Sequence, residues 1–385
     1  MAHGKGRSKC RLLLATDIWV DASHPRLPAR YFQRFKGLEQ HFDVSWTFIA
    51  TNANAGDHSL PDHARLVFVP PVRSKWHLFA LLPRYVRILS DAMGETDVAL
   101  ILAPMLTTLP ALLAARLRRR PSVLLLLAPL SAIGFFNRSV IRRMVPTILN
   151  LEVLLSTETL VLNSHLAQGV LPTLRRRMEV FMPSTIGEGD FLPIVEPSPD
   201  APVELLFVGR LIRLKRVDIA IETVSRLRRD GIDATLTVVG DGADRPRLVR
   251  VSEEVGLSDV VNFLGWTDDP AQLREHYRKA FALLLPSEIE AFGMVVLEAM
   301  AAGTPVVRTA PIGGIDLLEP EKDVLIAGVN SAEAFATGVK RLVADRDFYL
   351  EIARAAQKKA STLTREAWQS TFRERAEGLI RDRQS

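Results

Sequence analysis

The chain of 385 residues contains a single cysteine, Cys10. One thiol cannot form an intramolecular disulfide or a cysteine-based zinc cluster, which fits a reducing compartment. Aromatic residues are sparse, at 7% of the chain, and do not interleave with the basic ones. That argues against a stacking platform for nucleic acid. The dinucleotide fingerprint GxGxxG and the Walker phosphate loop are both missing, so neither familiar glycine cradle is available. Long apolar runs are missing too. VALILAPMLTTLPALLAA (98–115) is broken by Pro104 and Pro110 and reads as a buried strand followed by a helix, not a membrane span. LLLA (12–15) is stopped by Asp17, too short for the core of a secretory signal. A cytoplasmic protein is therefore expected.

What is present is a globular composition, 48% apolar and 24% charged, on a chain long enough for two cores. The formal charge of +5 is uneven: residues 1–200 carry a net +7 and residues 201–385 a net −2. Arginines cluster at 116 and 118–120, at 142–143 and at 175–177, several near apolar segments such as LLLLAPLSAIGFF (124–136). Two readings stand: docking on an anionic membrane at the inner face of the cell membrane, or solvated helix ends that suit arginine through the helix dipole.

Short apolar runs alternate with amphipathic stretches of helical length, the signature of an α/β protein with parallel sheets. Strands are expected at 11–16, 42–50, 65–70, 97–103, 122–128, 159–164 and 178–183. STIGEGDFLPIVEPSPDAPVE (184–204) holds four prolines and little periodicity, and marks a boundary. Strands resume at 203–209, 234–240, 260–265, 280–286, 304–307 and 323–327. The expected organisation is an N-terminal domain over 1–185, a linker over 186–202 and a C-terminal domain over 203–365. A last helix (366–383) spaces Trp368, Phe372, Ala376 and Ile380 four apart. Its apolar stripe needs a partner surface, for which the N-terminal domain is the candidate.

Four strand-to-loop motifs in the second half carry chemistry. In GRLIRLK (209–215), Gly209 ends a strand, and Arg210 and Lys215 place two cations at its carboxyl end, as a diphosphate requires. VVGDG (238–242) puts Gly240 in a tight turn, which is common for structural reasons alone. NFLGW (262–266) follows another strand. In SEIEAFGMVVLEAMAAG (287–303) the loop opens a helix whose first free N–H groups lie near Phe292, Gly293 and Met294, an anion site by construction. Glu290 stands before that helix and Glu298 within it. Either they accept hydrogen bonds from sugar and ribose hydroxyls, or they are a dipole-complementing charge and a surface helix residue.

The ordered series GRLIRLK, VVGDG, NFLGW and EAFGMVVLEAMAAGTPVV (290–307), then Gly313 and Gly314, resembles glycosyltransferase family 4, retaining enzymes of the two-domain GT-B fold. The likeness is strong over about 203–330 and extends to the first half only in layout. It implies an α/β GT-B architecture of two Rossmann-like doubly wound domains facing across a cleft. The implied activity is metal-independent transfer of a sugar from a UDP- or GDP-linked donor to a hydroxyl of a glycan or lipid-linked acceptor. Cell-surface polysaccharide or lipopolysaccharide synthesis is the implied setting. No resident cofactor is implied, the nucleotide sugar being a co-substrate. Carried over residue by residue, Arg210 and Lys215 clamp the diphosphate and Glu290 meets the donor sugar. Gly209, Gly240 and the backbone of Phe292, Gly293 and Met294 line the donor, and Glu298 takes the ribose. The family's usual front-domain histidine has no counterpart in LLLLAPLSAIG (124–134), and the usual Gly-Gly loop is replaced by TDIWVDASHPRLPAR (16–30). There Asp17, Asp21 and His24 are the acceptor-side candidates. A nucleotide-sugar epimerase and a non-catalytic nucleotide-sugar binder remain as rival readings.

Overall fold

The apolar runs form the expected parallel strands in a computed structural model of the chain. It describes residues 9–16, 19–21, 26–27, 35–51, 58–59, 65–71, 75–105, 107–127, 139–167, 170–198, 201–267, 269–290, 292–310 and 316–384. The chain divides into two units: Met1–Pro183 with Trp368–Ser385, and Ser184–Ala367.

The strands of the first unit are β1 (Cys10–Ala15), β2 (Trp19–Asp21), β3 (Arg26–Leu27), β4 (Phe42–Thr51), β5 (His58–Ser59), β6 (Arg65–Val69), β7 (Val98–Ala103), β8 (Ser122–Leu126), β9 (Glu158–Val161) and β10 (Met178–Val180). Its described helices are α1 (Leu38–His41), α2 (Lys75–Gly94), α3 (Thr108–Leu117), α4 (Ser139–Leu155) and α5 (Pro172–Arg175). Apart from the antiparallel pair β3–β5, the strands join one parallel sheet in the order β10-β9-β8-β7-β1-β4, with β2 and β6 both pairing β4. A parallel sheet covered on both faces needs strands that are apolar throughout. β7 (VALILA) and β8 (SVLLL) are accordingly buried at every residue. The 98–115 run resolves into β7 and α3, as its prolines implied.

The second unit has β11 (Val203–Val208), β12 (Ala234–Val239), β13 (Val261–Gly265), β14 (Ala282–Leu285), β15 (Val306–Thr309) and β16 (Leu325–Ala327). Between and after them come α6 (Val217–Arg229), α7 (Arg245–Glu254), α8 (Pro270–Lys279), α9 (Met294–Ala301), α10 (Ala332–Ala344) and α11 (Arg346–Ser361). All pairings in this sheet are parallel, in the order β13-β12-β11-β14-β15-β16. The chain thus winds outward from β11 in one direction, then returns to β14 and winds in the other. That doubly wound order opens a crevice at the carboxyl ends of β11 and β14, where the winding reverses. The helices show why they sit where they do. α6 turns Val217, Ile219, Ala220, Ile221, Val224 and Leu227 inward, and α10 and α11 are capped by Ser331 and Asp345.

The last helix, α12 (Arg365–Gln384), starts in the second unit and runs into the first. Its four-residue stripe puts Trp368, Phe372 and Ala376 into the core of the first unit with Leu12, Phe35 and Trp46. Phe35 stands edge-on to both Trp46 and Trp368, with ring centroids 6.1 and 6.0 Å apart. Arg375 pairs with Glu158 and Glu179 beside it.

Candidate donor site at the switch point of the second sheet

The loops that leave β11 and β14 meet at the winding reversal. The first runs from Gly209 through a short 3-10 turn, Arg213–Lys215, to α6. The second runs from Pro286 to Gly293, where α9 begins. Their backbones are tied directly, with Glu288 N–H donating to Leu214 C=O at 2.9 Å. Across the same junction Lys215 Nζ forms an ion pair with Glu290, the side chains being 17% and 14% exposed. Arg216, in the left-handed region at φ 48°, adds a second link by donating to Glu288 Oε1 at 2.9 Å. Arg210 is exposed and its guanidinium bonds no described residue. The two cations expected to clamp a diphosphate therefore differ: one points to solvent, and the other is already paired with a carboxylate expected to meet the sugar.

The glycines have separable roles. A side chain at Gly240 would place its Cβ 1.9 Å from the Gly209 carbonyl oxygen. The bare backbone there is needed to seat one loop on the next, and Gly209 N–H in turn donates to Val239 C=O at 3.0 Å. Gly293 caps α9 at φ 84°, with Leu285, Glu290 and Val296 crowding the place of a Cβ. The first amides of α9, from Met294 on, have no partner within the helix, as at any helix start. Phe292 is buried beneath them.

Two residues that the motif spacing did not single out hold this loop from below. Arg308, on β15 beside Leu285 of β14, is 1% exposed. Its Nη1 donates to Phe292 C=O at 2.9 Å and its Nε to Thr309 C=O at 3.0 Å. Burial pulls its pKa down to about 10, against the opposing charge of Glu290, so the guanidinium stays charged at neutral pH. Next to it, Thr309 Oγ1 donates to Ser287 C=O at 2.6 Å. The two ends of the loop are thus tied to the end of one strand. The available signal was a charged residue inside TPVVRT, a type almost never fully buried without a reason.

Glu298 lies partly buried on α9, and its Oε2 accepts from the hydroxyl of Tyr277 on α8 at 2.7 Å. Burial raises the carboxyl pKa, the Tyr277 bond works against that, and the charge of Asp190 adds to it. Asp190 is itself held by Arg274 at 3.2 Å. Tyr277 is buried, and burial next to that carboxylate pushes its phenol well above its ordinary value. Glu298 is thus a carboxylate fixed in orientation by Tyr277 and not a fully solvated surface glutamate.

On the acceptor side, Asp17 and His24 lie outside the described residues. Of Asp21 the structure describes the backbone, paired with Thr51 in the sheet. Gly313 and Gly314 also lie outside the described residues. Leu124–Leu126, the start of the apolar segment noted beside the arginine clusters, are buried in β8 and face no solvent.

Residues 190–359 match the model of the family Glycosyl transferases group 1. A D-inositol 3-phosphate glycosyltransferase of Corynebacterium urealyticum is 31% identical over 223 residues, 56% of this chain and 51% of that protein. A lipopolysaccharide core biosynthesis glycosyltransferase, LpsE of Rhizobium meliloti, is 33% identical over 154 residues, 40% of this chain and 43% of that protein. The chain spans about half the length of the curated relatives it matches. Among solved structures, HepE of Anabaena, crystallised with UDP, superposes with a TM-score of 0.72 at 17% identity. That match covers 96% of this chain and 100% of HepE. The fold is therefore the expected α/β architecture of GT-B glycosyltransferases, and the segment bearing the donor-site motifs is the one that matches the group 1 glycosyltransferase family.

Proposed function

We propose that the chain transfers a sugar from a nucleotide diphosphate sugar to an acceptor hydroxyl. One juxtaposition supports the reading: the loop after β11, which carries Arg210 and Lys215, is joined at Lys215 to Glu290 and at Leu214 to Glu288, in the loop that leads into α9. Cations and free amides at one strand end suit a diphosphate, and carboxylates on either side suit the hydroxyls of a sugar and a ribose. The family match over 190–359 and the likeness to two proteins named as glycosyltransferases support the same reading. UDP is the first nucleotide to try, because HepE was crystallised with it.

In this mechanism the bond between the anomeric carbon and the diphosphate oxygen breaks while the acceptor oxygen attacks the same face. The developing charge on the diphosphate is met by Arg210 and Lys215. Attack on the face that the diphosphate leaves retains configuration, the acceptor proton passes to the departing diphosphate, and the two cations serve where a metal would otherwise neutralise it. The acceptor is a glycan or lipid-linked intermediate of a surface polysaccharide or lipopolysaccharide.

A thermal-shift panel of nucleoside diphosphates and their sugars, on the wild type and Glu298→Ala, tests the reading. Ligand at a hundred times its dissociation constant adds about 2.7 kcal/mol of stability. Stabilisation by one diphosphate family, weakened in the variant, is the expected result. No stabilisation by any of them overturns it.

A further inference from the structure

We infer that the first unit carries a docking face for an anionic lipid bilayer, formed where the C-terminal ends of α3 and α4 meet α5. Four leucines there are turned to solvent: Leu117 at the end of α3, Leu151 and Leu154 on α4, and Leu171 leading into α5. Their exposures run from 41% to 68%. They form one neighbourhood, not scattered singles. Arg116 donates from Nη2 to Leu154 C=O and from Nε to Leu155 C=O at 2.9 and 3.0 Å, which sets Leu117 beside the end of α4. Leu171 N–H donates to Asn150 Oδ1 at 2.7 Å, which sets Leu171 beside Leu151. Leu151 and Leu154 are three apart and share one face of their helix.

Charge identifies the occupant. Residues 114–120, 139–157 and 170–178 carry nine arginines and one carboxylate, Glu152. Glu152 is itself buried, and burial lifts its pKa to about 8, so it presents no negative charge to this face at neutral pH. Among the described arginines of these segments only Arg118 has an ion-pair partner, Asp91. Arg119 and Arg176 are exposed, and Arg175 is exposed with its Nε donating to Val170 C=O at 2.8 Å. Arg116 and Arg177 are used to cap carbonyls, the latter bonding Ser156 C=O at 2.9 Å. An apolar patch rimmed by cations of which one is ion-paired, with the nearby Glu158 and Glu179 taken up by Arg375, fits a surface that is negative outside and hydrocarbon within. Nucleic acid fits poorly, because the patch offers leucines where bases need aromatic planes.

The inference does not rest on the transferase reading, and the two are tested apart. Co-sedimentation would use vesicles of phosphatidylcholine alone and of phosphatidylcholine with phosphatidylglycerol, at low and physiological salt. The full chain should bind the anionic vesicles and ignore the neutral ones. The pair Leu151→Gln, Leu154→Gln should lower partitioning by about tenfold or more. Arg175→Gln with Arg176→Gln should lower it and flatten the salt dependence. Arg229→Gln with Arg250→Gln changes charge equally on the second unit and should leave binding intact. Thermal melts with and without nucleoside diphosphate should be the same in all variants, separating loss of this face from loss of fold or donor site. Three results would overturn the inference: no binding to anionic vesicles, binding indifferent to the leucines, or an equal loss in the second-unit control. A dimer seen by light scattering and dissolved by the leucine substitutions would also overturn it, assigning the face to a second copy.

Discussion

Lys215 and Glu290 are paired to each other across the two loops that meet at the switch point. On the proposed function one meets a diphosphate and the other a sugar, so arrival of a donor exchanges this contact for two new ones. Lys215→Met should weaken nucleoside diphosphate binding by about tenfold to a hundredfold, the usual worth of a charge-assisted hydrogen bond. Glu290→Gln should behave oppositely. With the competing carboxylate gone, diphosphate affinity should hold or rise, while turnover of the nucleotide sugar falls by on the order of a hundredfold. Calorimetric titration with the diphosphate, beside a donor-consumption assay, separates the two. Parallel losses in both variants would mean the pair is a strut only.

Tyr277 fixes Glu298 through one hydrogen bond of 2.7 Å between neighbouring helices. Tyr277→Phe keeps the ring and its packing, and removes only the hydroxyl. It should cost about 1–2 kcal/mol of stability, because a partly buried carboxylate loses a donor. If Glu298 meets the ribose, affinity for a nucleoside diphosphate should fall severalfold while affinity for pyrophosphate is unchanged. Competition binding with the two ligands reads that difference, and equal effects on both would remove Glu298 from the ribose.

How far the sequence could be read follows from the range of each interaction. β7, β8 and β11 are legible because both faces of a parallel sheet are covered, so apolarity is continuous along the chain. The GRLIRLK and EAFGMVVLEAMAAG loops are legible because their chemistry lies within a few residues of a strand end. The Tyr277–Glu298 bond is not, since it joins two residues 21 apart on different helices. Arg308 is hidden for the same reason: its partner Phe292 lies 16 residues earlier, on the neighbouring strand's loop. On α4, Leu149 and Val153 are buried while Leu151 and Leu154 are exposed. A helix apolar on both sides has no periodicity from which to tell its outer face.

Arg308 is the test of how the donor loop is held. Arg308→Met leaves the Phe292 carbonyl without its buried donor and should cost about 3 kcal/mol or more. Arg308→Lys keeps a cation but cannot reach both Phe292 and Thr309 in a fixed plane. It should recover part of the stability while leaving diphosphate binding weak. Chemical denaturation paired with a diphosphate titration gives both readings. Full recovery of binding by lysine would show that charge alone, and not the fork geometry, positions the loop.

Glu152 makes stability depend on pH in a direction that can be stated in advance. Its folded-state pKa of about 8 lies above the ordinary value of 4.5, so the folded chain holds a proton that the unfolded chain releases. Stability from this group is then complete below about pH 4.5, declines as pH rises, and levels off above about pH 8. The wild type should lose up to a few kcal/mol across that window, at about 1.4 kcal/mol per pH unit. Glu152→Gln cannot titrate at that position. The melting temperature of the variant minus that of the wild type should therefore climb between pH 5 and pH 8.5. Any fixed cost of seating an amide there shifts the whole curve and leaves its slope alone. A flat difference across the range would mean that Glu152 is ionised in the fold and balanced by a cation. The lipid-facing end of α4 would then carry a negative charge that the docking face cannot accommodate.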